Sequence, residues 1–116
     1  CIRGHILLNC AEQHRGISFR RASHHAINVL AAGQNDLSNR FATWPVDRFA
    51  GLPWHRGAGG APLLPGCCAS FELANETCHV GGDHTIFVGR VEKFNETADL
   101  APLLFYAGQY RALAEE

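Results

Sequence analysis

Gly81-Gly82-Asp83-His84-Thr85-Ile86-Phe87-Val88-Gly89-Arg90-Val91 is the stretch on which the fold turns. Its Gly-Gly-Asp opening is a turn, and Thr85 to Val91 is rich in β-branched and aromatic residues. Just upstream, Ala69, Phe71 and Leu73 alternate with Ser70, Glu72 and Ala74. Period two predicts a strand with one buried face. A strand therefore stands on each side of the turn. His84 is carried to the start of the second strand by a rigid turn, a good mount for a site residue.

Other short elements surround this pair. Ile6-Leu7-Leu8 reads as a buried strand, and His14 to Ala22 as a short helix. His25 to Leu30 reads as a strand, with Ala26, Asn28 and Leu30 on one face and Ile27 and Val29 on the other. After a turn at Ala32-Gly33, Gln34 or Asn35 opens a helix to about Phe41, where Leu37 and Phe41 share a face. Trp44 to Pro65 is loop-like, holding Pro45, Pro53, Pro62, Gly57, Gly59 and Gly60. Glu92 to Asp99 reads as a polar connector. Leu103 to Tyr106 is a last strand, and Ala107-Gly108-Gln109 turns into Tyr110. Short strands, Gly/Pro loops and one or two small helices predict a mainly β barrel or an α+β domain.

The chain's 116 residues are one domain's worth, residues 1–116, with room for one core. Hydrophobic residues make up 47% and charged residues 18%, which argues against disorder. Ten basic against eleven acidic residues leave no electrostatic footprint for nucleic acid or an anionic membrane. No apolar run approaches the roughly 20 residues of a membrane span. Cysteines at 1, 10, 67, 68 and 78 are odd in number. They read as reduced thiols of a cytoplasmic protein. Neighbouring Cys67-Cys68 and Cys78-His79 diverge if they lie on strands, so no zinc site is expected. His14, His24, His25 and His55 read as loop or surface residues.

Several chemistries have no motif. Gly57-Ala58-Gly59-Gly60 lacks the Lys-Ser/Thr of a phosphate loop. No Gly-x-Ser-x-Gly marks a nucleophile elbow, and no Gly-x-Gly-x-x-Gly follows a strand.

Gly82 to Val91 resembles the Gly-Asp-His-Thr-x-Phe-Val-Gly-x-Val segment of the flavin reductase family. Further segments agree in order: Ala26 to Leu30, Arg40-Phe41-Ala42, Asp47-Arg48-Phe49 running into Gly51-x-x-Trp54, and Gly60 to Gly66. Leu103 to Arg111 looks like the family's Leu-x-Tyr/Phe-x-x-Gly-x-Tyr-x segment. The resemblance runs from about Ile6 to Leu113. It implies an FMN-binding split barrel. It also implies an NAD(P)H:flavin oxidoreductase that reduces FMN or FAD with NADH or NADPH and supplies reduced flavin to a partner monooxygenase. A homodimer with flavin near the interface is implied as well. By family position, His84 is the catalytic-site residue, orienting flavin and nicotinamide beside Asp83. Arg48 and Phe49 match the loop approaching the flavin, with Arg48 suited to phosphate. Tyr106, Gly108, Tyr110 and Arg111 match the segment near the dinucleotide donor. Chemistry carried by cofactors needs no protein nucleophile or metal, in keeping with the missing motifs.

Two departures shape the expectation. The family's polar, hydroxyl-rich loop after the first matching strand is here Cys10-Ala11-Glu12-Gln13-His14-Arg15. Glu12 is unfavourable beside a phosphate, leaving Arg15 or His14 to compensate. The family's Thr-x-Ser-Ser-Phe-like segment has no counterpart. Methionine is absent even at position 1. The chain is therefore expected to be a domain without its N-terminal strands. A flavin-binding electron-transfer module without turnover, or an inactive truncated domain, is the alternative.

Overall fold

The computed structural model describes residues 5–11, 22–42 and 49–114, the first of these stretches as backbone. The segments expected to form the helix before Ala22, the loop from Glu12 to Arg15 and the Arg48 site lie outside the described residues.

Two long strands dominate, β5 (Ala69–Gly81) and β6 (His84–Glu96). They pair antiparallel around a two-residue turn, Gly82-Asp83. Gly82 has φ 67°, and glycine at the first central position suits a type II′ hairpin turn. With β1 (His5–Ala11) and β2 (His24–Val29) they form an antiparallel sheet in the order β1-β6-β5-β2. β1 pairs with the first half of β6, His5 facing Arg90 and Ala11 facing His84. β2 pairs with Ala69 to Ala74 of β5.

The core lies under this sheet. Thr85, Phe87, Gly89 and Val91 point inward from alternate positions of β6. Leu73 and Thr85 are fully buried, and Ala31, Ala61, Leu63 and Cys68 close the core around them. Burying a side chain such as Leu73 contributes about 1.5–3 kcal/mol.

Two register shifts alter the expected alternation, one between Glu72 and Leu73 and one between Asn75 and Thr77. At the first, Glu72 faces Lys93 but Leu73 faces Val91, so Glu92 is left over. Glu72 and Leu73 are consequently both buried, where strict alternation exposes Glu72. The Glu72 carboxylate accepts the Ala58 N–H at 2.8 Å. A Cβ at Gly57 would lie 2.1 Å from Glu72 Oε1, so any larger residue there would have to displace this carboxylate.

β6 also runs further than expected. The predicted connector from Glu92 includes strand through Glu96, because Phe94 stacks on Phe71 at 4.8 Å while its neighbours face water. The Pro/Gly loop contains a two-residue ladder, β3 (His55–Arg56) with β4 (Pro62–Leu63). Asn28 ties it to β2: its amide donates to the Pro62 carbonyl and its Oδ1 accepts the Leu64 N–H at 3.0 Å.

Helix α1 (Asn35–Ala42) falls where its spacing placed it. Asp36 in its first turn and Arg40 in its last complement the helix dipole. The predicted last strand is half of a second hairpin, β7 (Leu104–Tyr106) with β8 (Gln109–Arg111). Its base joins the end of β2 through Leu103 N–H to Leu30 O and Ala32 N–H to Ala101 O, each 2.8 Å.

Candidate functional site

His84 opens β6 beside the hairpin turn, level with Gly81 of β5 and Ala11 of β1. Its Nδ1 lies 2.6 Å from Asp83 Oδ1. The Asp83 side chain is 92% exposed and that of His84 40%. The hydrogen bond from His84, then its charge, holds the Asp83 carboxyl below the usual carboxylate range. An ionised Asp83 accepts only, so Nδ1 of His84 carries the proton. In the neutral ring Nε2 is then an acceptor, and on protonation it becomes a donor. The turn thus favours the Nδ1–H form of one partly exposed imidazole.

A second group gathers on α1. Phe41 meets the Phe49 ring edge-on at 5.2 Å, and Phe49 lies 5.0 Å from Trp54. Arg56 Cζ sits 5.5 Å over the Trp54 ring, and its Nη1 donates to the Gly60 carbonyl at 3.0 Å. This is a half-buried aromatic wall with a cation at one end. Phe49, a sequence candidate, belongs to it. Phe41, Trp54 and Arg56 were not among the candidates.

The third group is the β7–β8 hairpin. Both central turn residues have positive φ, Ala107 at 51° and Gly108 at 78°, which suits a type I′ turn. Tyr106 is 73% exposed, and Arg111 is exposed. The Tyr110 hydroxyl lies 2.9 Å from Ser38 Oγ and 2.8 Å from Asn39 Oδ1, both on α1. Tyr110 and Phe49 are therefore brought to the same helix. His84 stands on a different sheet from Tyr106, Gly108, Tyr110 and Arg111. Sequence reasoning had no signal for the Ser38 and Asn39 contacts, since the partners are 72 and 71 residues apart.

The histidine and cysteine expectations need two corrections. His25 is buried within β2 and hydrogen-bonded to Asn75, not a loop or surface residue. Its neighbour His24 is half-buried, with Nε2 3.1 Å from Glu92. Cys67 and Cys68 precede β5 rather than lying in a strand. Cys67, Cys68 and Cys78 are free thiols. Burial, then the neighbouring Cys68, pushes the Cys67 thiol up, away from the reactive thiolate. Among the described residues no three His, Cys, Asp or Glu side chains gather as a metal site. No helix among them is long and apolar enough to cross a membrane.

The fold is that of a mainly β protein, one four-stranded antiparallel sheet with two small hairpins beside it. The model of the flavin reductase like domain matches residues 6–114, and the chain belongs to that family. It is 38% identical over 96 residues to the reductase subunit HsaB of a flavin-dependent monooxygenase from Rhodococcus jostii, covering 83% of this chain and 49% of that protein. It is 43% identical over 93 residues to the reductase component of the flavin-dependent trigonelline monooxygenase of Acinetobacter baylyi, covering 80% and 30%. The chain thus spans half or less of these relatives. Its structure superposes on the NADH:FAD oxidoreductase SgcE6 of Streptomyces globisporus with TM-score 0.90 and 32% identity, over 97% of this chain and 70% of that one. A further structure of SgcE6 contains NAD and FAD fragments. The strand content and sheet arrangement are consistent with the split barrel of these reductases.

Proposed function

We propose that the chain is the flavin- and nicotinamide-binding domain of an NAD(P)H:flavin oxidoreductase, reducing FMN or FAD for a partner monooxygenase. One observation carries the reading: the Asp83–His84 pair at the hairpin turn, in which Asp83 engages Nδ1 of a partly exposed imidazole and leaves Nε2 out of that bond. The residues fit such ligands. Phe41, Phe49 and Trp54 offer a half-buried aromatic wall suited to a flat ring. A bound flavin supplies the acceptor for hydride from the reduced nicotinamide.

The protein's own part is orientation. In this reading His84 Nε2 accepts from an amide N–H of flavin or nicotinamide, and Asp83 keeps the imidazole from turning. Arg48 and Phe49 serve the flavin side. Tyr106, Gly108 and Arg111 line the donor side, where exposed Arg111 answers phosphate charge. The assembly proposed is a homodimer, for which exposed Phe105 and Leu113 supply apolar surface. Free Cys67, Cys68 and Cys78 favour the cytoplasm.

The test is His84→Ala in the steady state. Loss of one hydrogen bond, about 1–1.5 kcal/mol, predicts a roughly tenfold fall in kcat/KM for the nicotinamide donor. Unchanged donor affinity and turnover would remove His84 from the site.

A further inference from the structure

We propose that α1 positions the donor side of the site: Ser38 and Asn39 hold the β7–β8 hairpin through the Tyr110 hydroxyl, and this clamp sets where Tyr106 and Arg111 stand. The proposal rests on the oxidoreductase reading above. It makes Tyr110 a positioning residue rather than a ligand contact.

The hairpin needs an external hold. Each strand has three residues, and an isolated two-stranded hairpin is marginal in water. Its turn places Ala107 in the left-handed region, which opposes the hairpin further. Phe105 is 67% exposed and Tyr106 73%, so neither anchors it in the core. Backbone bonds fix the base, at Ala101 and Leu103. Beyond the base, Tyr110 reaches back to α1.

The Tyr110 hydroxyl is fully engaged there. It has one proton, which it donates to Asn39 Oδ1 at 2.8 Å. The Ser38 hydroxyl, 2.9 Å away, is placed to donate in return. The Phe105 ring, 5.2 Å from that of Tyr110, steadies the outer side. Phe41, on the same helix, holds Phe49 at 5.2 Å. Residues 38, 39 and 41 lie within one helical turn. A single rigid piece therefore carries both Phe49, on the proposed flavin side, and the hairpin, on the proposed donor side. The distance between two rings that must exchange hydride depends on such a mount, since a misplacement of about 1 Å can cost a hundredfold in rate.

The test uses the chain with Tyr110→Phe, which keeps the ring and its packing on Phe105. Amide exchange across residues 104–111 is measured beside the KM for NADH and the FMN dissociation constant. Exchange in the hairpin is expected to rise at least tenfold and the KM for NADH several-fold. FMN affinity is expected to stay within twofold. Ser38→Ala with Asn39→Ala should reproduce the pattern from the helix side, which also covers a failure of Tyr110→Phe to fold. Unchanged hairpin exchange would overturn the clamp. Faster exchange with an unchanged KM would overturn its role toward the donor. If the unaltered chain oxidises no NADH, the oxidoreductase reading falls and the donor role falls with it, while exchange still decides the clamp.

Discussion

Asp83 and His25 show how one neighbour changes what a side chain can do. Asp83 is exposed, yet its carboxylate is engaged by His84 Nδ1, which leaves Nε2 as the ring nitrogen outside that bond. His84 was readable from sequence because a Gly-Gly-Asp turn precedes it. His25 was not, because its partner Asn75 is 50 residues away. Burial pulls the His25 pKa down, against the hydrogen bond that its Nδ1 donates to the Asn75 side-chain oxygen, which raises it. As pH falls, the unfolded chain therefore takes up a proton at His25, near pH 6.5, before the folded protein does. Its stabilising contribution is present above that pH and is lost as pH falls toward the lowered folded value. Urea unfolding of the wild type should weaken between pH 7 and 5 more steeply than that of His25→Gln. Equal slopes would show that His25 contributes no such dependence.

At the scale of elements, hairpins and their turns govern what is presented. The β5–β6 pair was legible because Phe71 and Leu73 alternate and Gly82 marks the turn. Its bulges were not, since Glu72 is buried by a need that lies elsewhere, the Ala58 N–H in a distant loop. The β3–β4 ladder, two residues a side, is too short to leave a periodicity. The turn at Ala107-Gly108 was legible, but the second strand of the β7–β8 hairpin was not, because three residues are too few to leave a periodicity, and the turn itself sets Ala107 at positive φ. That misfit is itself testable. Ala107→Gly should raise stability by about 1 kcal/mol, read from denaturant midpoints, by relieving left-handed strain. A loss of stability would mean that the turn is not strained at Ala107.

For the whole molecule, a fully buried Leu73–Thr85 centre supports a sheet whose rim carries His84, while α1 gathers Phe49 and Tyr110 on another flank. The family was legible because its segments follow in order along the chain, and the family model matches residues 6–114. The spatial grouping on α1 was not, because it joins segments far apart in sequence. The proposed activity passes hydride from a nicotinamide to a flavin. The direct measurement adds NADH and excess FMN to the purified chain and follows the nicotinamide absorbance band. NADH oxidation is expected to run beyond one equivalent of protein, continuing until the flavin is reduced. Tight yellow binding without NADH oxidation would contradict it and leave a flavin-holding module.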